Sequence, residues 1–174
     1  YFKDKGYLNT VVEISQVTDP SSLSSVILDI DINKGEKVKI NSITFEGVNE
    51  VKEKKLKRTL KETKEKKFFR IFKTSKFLDE AFETDLEKII NLYNEKGFRD
   101  AQIVSKNIDE ISSNLIDINI TIEEGIKYHF RNIDWLGNTK YNSEYLDLLL
   151  GIKSGDVYDE KMMNERLQMS MSGT

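Results

Sequence analysis

The sequence repeats itself at an interval of about 90 residues, and this repeat limits the folds that the chain can adopt. Residues 28–35 (LDIDINKG) match residues 118–125 (INITIEEG) at an offset of 90, and Gly6 matches Gly97 at an offset of 91. The matching positions alternate between apolar and polar residues and end on glycine. A fixed period of this length indicates tandem structural units, each with a core of its own.

The repeat divides the chain into one whole unit and two partial units. We expect residues 1–38 to be the C-terminal half of a unit, residues 39–128 a complete unit and residues 129–174 the N-terminal part of a third. The complete unit carries nine extra residues between Leu60 and Phe77, because the offset falls to 81 where Phe77 matches Tyr158. The partial units lack core partners, which predicts disorder, packing against the central unit, or exchange between chains.

Hydrophobic periodicity predicts the order strand, helix, helix, strand, strand for one unit. Residues 41–46 alternate as a strand, with a change of phase before them that indicates a bulge, and Asn49 is placed to cap the first helix. Residues 100–107 and 115–122 read as two further strands joined by a polar turn at 110–114. An apolar stripe predicts the second helix, and its members are Phe82, Leu86, Ile89, Ile90 and Tyr93.

These elements predict an α+β fold of tandem β-α-α-β-β units, each a three-stranded sheet covered on one face by two helices. Such a sheet buries the apolar stripes of both helices and of the strongly alternating strand at 115–122. Its second face and at least one edge strand stay open to solvent.

The composition excludes several functional classes. The chain has no Cys and a single His, His129, which excludes disulfides, ordinary transition-metal sites and a nucleophile with two supporting bases. No phosphate-binding glycine loop is present, so we expect neither a cofactor nor an enzymatic activity. No apolar run approaches 18 residues, and the first residues resemble neither an initiator nor a signal segment. We therefore expect a non-enzymatic binding protein that is an excised or processed piece.

The residues after the second helix resemble a known family. Residues 92–101 (LYNEKGFRDA) are similar to a run of leucine, tyrosine, polar residues, a basic residue, glycine, an aromatic residue, aspartate and alanine in POTRA (polypeptide-transport-associated) domains. The complete unit departs from the family before Phe77, where KTSK replaces the usual Gly-Asp, so its helix connection is atypical. Four further runs resemble the family's strand ends and its approach to the second helix: ITFEG at 43–47, IEEG at 122–125, IDWLGN at 133–138 and GDVY at 155–158.

Several consecutive units of this kind resemble the periplasmic arm of outer-membrane protein assembly factors of the BamA type. The resemblance implies a scaffold on the periplasmic face of the outer membrane of a Gram-negative bacterium, anchored by a barrel outside this chain. It implies unfolded outer-membrane proteins and accessory assembly lipoproteins as partners, with no nucleic acid. A related secretion transporter is the alternative parent.

An open sheet edge is the predicted binding element, because an extended client adds to it as a strand through main-chain hydrogen bonds. The alternative is an edge that charge blunts and that neighbouring units hide. Weak apolar alternation nominates two edge strands: Ala101, Gln102, Ile103, Val104, Ser105 and Lys106 in the complete unit, and Thr10, Val11, Val12, Glu13 and Ile14 in the first.

A basic stretch at residues 52–76 is the second candidate site, because it holds twelve Lys or Arg and three Glu, a net charge of +9. Three interpretations are open: a patch that docks a partner or anionic head groups, a nucleic-acid site in which aromatic rings stack among cations, and a solvated helix face followed by an inserted loop. The candidate patch consists of Lys66, Lys67, Phe68, Phe69, Arg70, Phe72 and Lys73.

Overall fold

The computed structural model describes residues 1–21, 24–66 and 76–172, with side chains up to residue 169. A short 3-10 helix at Lys3–Lys5 comes first. No helix in these ranges is long and apolar enough to cross a membrane. The strands and helices are β1 (Val11–Thr18), β2 (Val26–Asn33), β3 (Lys39–Glu46), α1 (Glu53–Thr59), α2 (Asp79–Asn94), β4 (Gln102–Ser112), β5 (Leu115–Glu123), α3 (Ser143–Leu150) and α4 (Glu160–Ser172). Their order confirms the predicted α+β class and the β-α-α-β-β succession of the central repeat.

Backbone proximity groups the chain into two compact units. The first comprises Tyr1–Ile43, Lys61–Asp85 and Asn107–Asn119, and the second comprises Thr44–Leu60, Leu86–Lys106 and Ile120–Thr174. Strands β3, β4 and β5 and helix α2 each contribute residues to both units.

The central repeat holds a three-stranded sheet in the order β3-β5-β4. The two residues Ser113 and Asn114 connect β4 to β5, which makes this pair an antiparallel hairpin. Strand β3 starts beside the start of β5, since the Lys39 N–H donates to the Asn114 carbonyl at 2.9 Å. It also ends beside the end of β5, where Gly47 lies against the Ile122 carbonyl. Strand β3 therefore runs parallel to β5, and the sheet is mixed.

Each compact unit has an apolar core that the sequence periodicity anticipates. In β5 every second residue is buried and the residues between them are partly exposed, so one sheet face lies in the core. The predicted stripe of α2 is buried at four positions, and Ile90 is half-buried. In the first unit the core is Val38, Ile40, Ile43, Phe77, Phe82, Ile116 and Ile118. In the second it is Phe45, Val51, Leu56, Leu60, Leu86, Ile89, Tyr93, Phe98, Ala101, Ile120, Ile122, Leu150 and Ile152.

The predicted change of phase in the first strand is present. Ile40 and Ile43 are both buried, so Asn41 and Ser42 both lie outside the core. The Asp117 carboxylate accepts hydrogen bonds from the Ser42 N–H at 3.0 Å, the Ser42 hydroxyl at 2.6 Å and the Asn41 amide at 2.8 Å. One carboxylate thus replaces the ladder contact that the change of phase removes.

The predicted turn at 110–114 was too long. Strand β4 continues to Ser112, and only Ser113 and Asn114 form the turn. Pairing with β5 overrides the polar composition of these residues, as the hydrogen bond from the Asn119 amide to Asp109 at 2.8 Å illustrates.

The first strand predicted for the third repeat is absent. Residues 133–135 have no strand assignment, although they match 43–45, and Trp135 is half-buried with its indole N–H donating to Asp147 at 2.7 Å. A strand requires ladder hydrogen bonds from a neighbour, and within the described second unit no strand lies beside these residues. Local pattern alone therefore does not form the strand.

The first repeat contributes a two-stranded antiparallel hairpin, with Val11 opposite Asn33 and Thr18 opposite Val26. One face of this hairpin is apolar on β2, and its residues are 47–57% exposed, whereas the matching residues of β5 are 0–2% exposed. The exposed residues are Val26, Leu28, Ile30 and Ile32, and their buried matches are Ile116, Ile118, Ile120 and Ile122. The sequence of the strand is therefore sufficient for the hairpin but not for its burial.

Each junction between repeats uses the same backbone connection. In the first compact unit the Val38 N–H donates to the Gly6 carbonyl at 2.9 Å, and the Phe77 N–H donates to the Val38 carbonyl at 2.8 Å. In the second unit the Tyr128 N–H donates to the Gly97 carbonyl at 2.8 Å. The Tyr158 N–H then donates to the Tyr128 carbonyl at 3.0 Å, which completes the equivalent pair. The repeated Lys-Gly-aromatic motif thus places its glycine where the linker to the next repeat is held.

Substitution of Gly97 by Ala should weaken the second junction. A Cβ at Gly97 would lie 2.7 Å from Val157 Cγ1 and 3.0 Å from the Tyr128 carbonyl oxygen, at a φ of +91°. We expect a loss of about 2 kcal/mol in unfolding free energy, with faster amide exchange at Tyr128 and Tyr158. Gly155→Ala is the matched control, because Gly155 has a φ of +90° and open space around it. Equal effects of both substitutions would contradict the role of the close contact.

Candidate functional site

Strand β4 forms one edge of the three-stranded sheet. Five of the six residues nominated in the complete repeat lie in this strand, and Ala101 is buried immediately before it. Strand β5 is the only strand paired with β4 in the part of the chain that the structure describes. The outer side of β4 therefore carries the backbone groups that an added strand needs.

The opposite edge, on β3, is covered in the first compact unit. The Lys66 N–H donates to the Ile40 carbonyl at 2.7 Å, and the Glu65 carboxylate accepts from the Ile43 N–H at 3.0 Å. An isolated antiparallel β-bridge also pairs Lys39, at the start of β3, with Lys76. Backbone and side-chain groups therefore occupy this edge, and the two outer strands of the sheet differ in how their outer sides are covered.

Side-chain contacts to β5 fix β4 in the second compact unit. The Gln102 amide donates to Glu123 at 2.8 Å, and the Ser105 hydroxyl donates to Thr121 at 2.9 Å. Elsewhere on the strand Val104, Ile108 and Ile111 are exposed. Strand β4 therefore exposes apolar side chains in addition to the main-chain groups of its outer side.

Strand β1 holds the residues nominated in the first repeat. Val11, Val12, Glu13 and Ile14 are exposed on it, and Thr10 precedes it. The Thr10 hydroxyl donates to the Tyr7 carbonyl at 3.1 Å, which fixes the start of the strand. The hairpin has two strands, and among the described residues β2 is the strand that pairs with β1.

Most of the candidate docking patch lies outside the described residues. Lys67, Phe68, Phe69, Arg70, Phe72 and Lys73 belong to that part of the chain, and Lys66 is described through its backbone bond to Ile40. The described part of the basic stretch contains α1, which exposes Lys54, Lys55 and Arg58, and Lys52 is exposed immediately before the helix. A single carboxylate, Glu53, forms an ion pair within this helix, with Lys57 at 2.9 Å.

Glu124 holds the end of β5, and the sequence did not predict which groups its carboxylate binds. Its carboxylate is 7% exposed and accepts from the Asn49 N–H at 2.9 Å, from the N–H groups of Glu50 and Val51, and from the Tyr93 hydroxyl at 2.8 Å. The prediction that Asn49 caps α1 was wrong. The helix begins at Glu53 without a side-chain cap, and Glu124 binds the turn that precedes it.

The hydrogen bonds determine how Glu124 titrates. Burial by itself raises the pKa of this carboxyl, but the N–H groups of Asn49, Glu50 and Val51 and the Tyr93 hydroxyl together lower the pKa below its usual 4.5. The pKa of Tyr93 is raised by burial first and by its hydrogen bond to Glu124 second. The carboxylate is thus ionised, and the phenol neutral, at neutral pH.

Asp85 likewise binds consecutive backbone N–H groups in the first compact unit. This residue is fully buried on α2, and its carboxylate accepts from the N–H groups of Glu62 and Thr63 at 2.8 Å each. It fixes the chain that leaves α1. One signal was available for both acids: Glu124 continues the buried phase of β5, and Asp85 lies three residues after Phe82 on the buried face of α2.

Comparison with known families agrees with this geometry. The model of the family described as "POTRA: Surface antigen variable number repeat" matches residues 38–125 and 128–170. The chain belongs to the POTRA family. The two matched segments begin at Val38 and at Tyr128. These are the residues whose N–H groups donate to Gly6 and Gly97 in the repeated backbone connection.

Relatives and a solved structure extend the comparison of these POTRA repeats. The chain is 27% identical over 161 residues to the outer membrane protein assembly factor BamA of Neisseria meningitidis and 26% identical over 162 residues to a putative outer membrane protein assembly factor of Treponema pallidum. These matches cover 91% and 90% of the chain but only 20% and 18% of the relatives. The chain therefore spans about a fifth of the length of the curated relatives it matches.

The fold is also found in a crystal structure of POTRA3-5 of Haemophilus influenzae BamA, with a TM-score of 0.54 and 16% identity. That match covers 98% of this chain and 65% of the other. At this identity the likeness concerns the fold alone.

Proposed function

We propose that this chain is part of the periplasmic scaffold of an outer-membrane protein assembly factor and binds unfolded outer-membrane proteins by strand addition. The site is the outer edge of β4, and β1 offers a second edge of the same kind. Membership of the POTRA family and similarity to BamA-type factors support the scaffold. Accessory assembly lipoproteins are the second class of partner, and a barrel outside this chain anchors the whole protein on the periplasmic face of the outer membrane.

The contrast between the two edges of the sheet carries this proposal. The edge on β3 is occupied by Glu65 and Lys66, whereas β5 is the only described strand that pairs with β4. Main-chain hydrogen bonds tolerate many client sequences, and alternate side chains add selectivity. An unfolded outer-membrane protein, which is rich in alternating strands, is the matching client.

Lysines placed on the edge of β4 should weaken client binding without unfolding the protein. Val104 and Ile111 are exposed, so the double substitution Val104→Lys and Ile111→Lys should change unfolding free energy by less than about 0.5 kcal/mol. We expect the affinity for a peptide copied from an outer-membrane β-strand to fall about tenfold, because charge blunts a sheet edge. Ile126→Lys is the control, since Ile126 is exposed in the linker after β5.

An amide-shift titration measures this affinity and locates the site. We expect the strand peptide to move resonances of residues 101–112 or 10–14 in the unmodified chain and to lose this effect in the lysine variant. A short DNA duplex is titrated in parallel. Shifts that avoid both edges, or equal affinity of the lysine variant and the Ile126→Lys control, would overturn strand addition at β4.

The cationic face of α1 favours a second candidate, binding to an anionic surface or a nucleic acid. Lys52, Lys54, Lys55 and Arg58 are all exposed on or beside a helix of seven residues. This reading requires DNA or anionic vesicles to shift the resonances of α1, with an affinity that falls steeply as salt rises. Shifts of α1 with DNA, together with no response to the strand peptide, would replace the leading proposal.

A further inference from the structure

A groove in the first compact unit lies beside the distal half of β4. Its volume is about 690 Å³, within the range of natural ligand sites, and β4 contributes Ile108 and Glu110 to its wall. Leu8, Leu78 and Ala81 are half-buried residues that line it. The groove therefore offers an apolar floor next to the backbone edge on which the proposed function rests.

Among the described residues the charge of the groove is strongly one-sided. Those that line it include a single cation, Lys3, and five carboxylates, which are Asp4, Glu62, Asp79, Glu80 and Glu110. Asp4 pairs with the terminal ammonium of Tyr1 at 3.3 Å. Within the described ranges no ion pair engages the other four carboxylates.

Helix capping accounts for only part of this charge. Asp79 and Glu80 lie in the first turn of α2, where the helix dipole favours acidic residues. Glu62 follows α1 and Glu110 lies in β4, so neither is in a first turn. Both lie beside the same apolar floor, where a basic group bound in the groove can reach them.

We infer that this groove selects client strands that carry a lysine or arginine among apolar residues. A peptide added along β4 directs alternate side chains toward the groove wall, as in other strand additions. A long basic side chain can place its methylene groups over Leu8 and Leu78 while its charge reaches Glu62 or Glu110. The inference rests on strand addition at β4 and names the side-chain chemistry that the edge selects.

Two peptides test this selection. Both span β4 and alternate Val and Thr, and they differ at one central position, Arg in one and Gln in the other. We expect the Arg peptide to bind about fivefold more tightly at low salt, and the difference to shrink at high salt, because exposed ion pairs are weak and screened.

A charge-matched pair of variants completes the design. The double variant Glu62→Gln and Glu110→Gln should remove the preference for Arg. The variant Glu87→Gln and Glu144→Gln should retain the preference, because both residues are exposed outside the groove and the change in net charge is the same. Equal binding of both peptides at β4 would overturn the selectivity and leave strand addition intact. Failure of both peptides to bind would overturn both proposals.

Discussion

Replacing Glu124 by Ala should cost about 3–5 kcal/mol of unfolding free energy, because it leaves several buried donors without an acceptor. The carboxylate accepts from three consecutive N–H groups, those of Asn49, Glu50 and Val51, and from the Tyr93 hydroxyl. These contacts join the end of β5 to the turn before α1 and to α2. Loss of the carboxylate therefore loosens three elements at once, and urea unfolding followed by amide resonances of β5 measures the effect.

Two milder substitutions separate the contributions to this cluster. Tyr93→Phe removes one hydrogen bond and should cost about 1 kcal/mol, since the three N–H groups keep their acceptor. Glu123→Gln is the control for a charge change at the neighbouring position, because Glu123 is exposed and its carboxylate accepts a hydrogen bond from the Gln102 amide. A Glu124→Ala variant no less stable than Glu123→Gln would refute the structural role of this carboxylate.

The same group makes the stability of the second compact unit depend on pH. The pKa of Glu124 is lower in the folded state than its ordinary 4.5, so the unfolded state binds more protons between the two values. The stabilisation is complete above pH 4.5 and is lost as the pH falls through the lower folded value. Acid titration of β5 amide exchange should show this loss, and Glu124→Gln should remove it.

The sequence was sufficient for the features that follow from periodicity. The alternation of β5 and the stripe of α2 predicted the buried residues, because burial of an apolar side chain depends on which face it occupies. The repeat predicted the order of elements in the central unit. The edge position of β4 also matches the strand with the weaker alternation, since β3-β5-β4 places the strongly alternating strand in the centre.

The remaining features depend on residues that are distant along the chain. Glu124 stabilises the turn before α1 from 75 positions away, so the local signal at Asn49 was misleading. Glu65 and Lys66 cover the edge of β3, and the sequence of β3 itself does not predict this contact. The groove beside β4 gathers Asp4, Glu62 and Glu110 from three separate segments. A strand was predicted at 133–135 and does not form, because no strand of the described second unit lies beside these residues.

Replacing Gly47 by Ala should be the most damaging change at any glycine that the structure describes in the second compact unit. A Cβ at this position would lie far closer than 3.0 Å to the Ile122 carbonyl oxygen, which belongs to the backbone of β5 and has little freedom to move. The residue also has a φ of +75°, which disfavours any side chain. We expect a loss of about 3–5 kcal/mol, the sum of this strain and displacement of β5 from the end of β3.

Gly137→Ala supplies the matched control, because the repeat itself places Gly137 at the position equivalent to Gly47. Both glycines have a φ of +75°, but nothing lies within 4 Å of a Cβ at Gly137. Its substitution should therefore cost only about 1 kcal/mol, the backbone strain alone. Amide exchange of Ile120 and Ile122 compares the effects of the two variants on β5. The fluorescence of Trp135 reports separately on the third repeat. Comparable losses in both would mean that backbone strain, and not the approach of β5, fixes glycine at the end of β3; a much larger loss at Gly47 would mean that parallel pairing of β3 with β5 requires it.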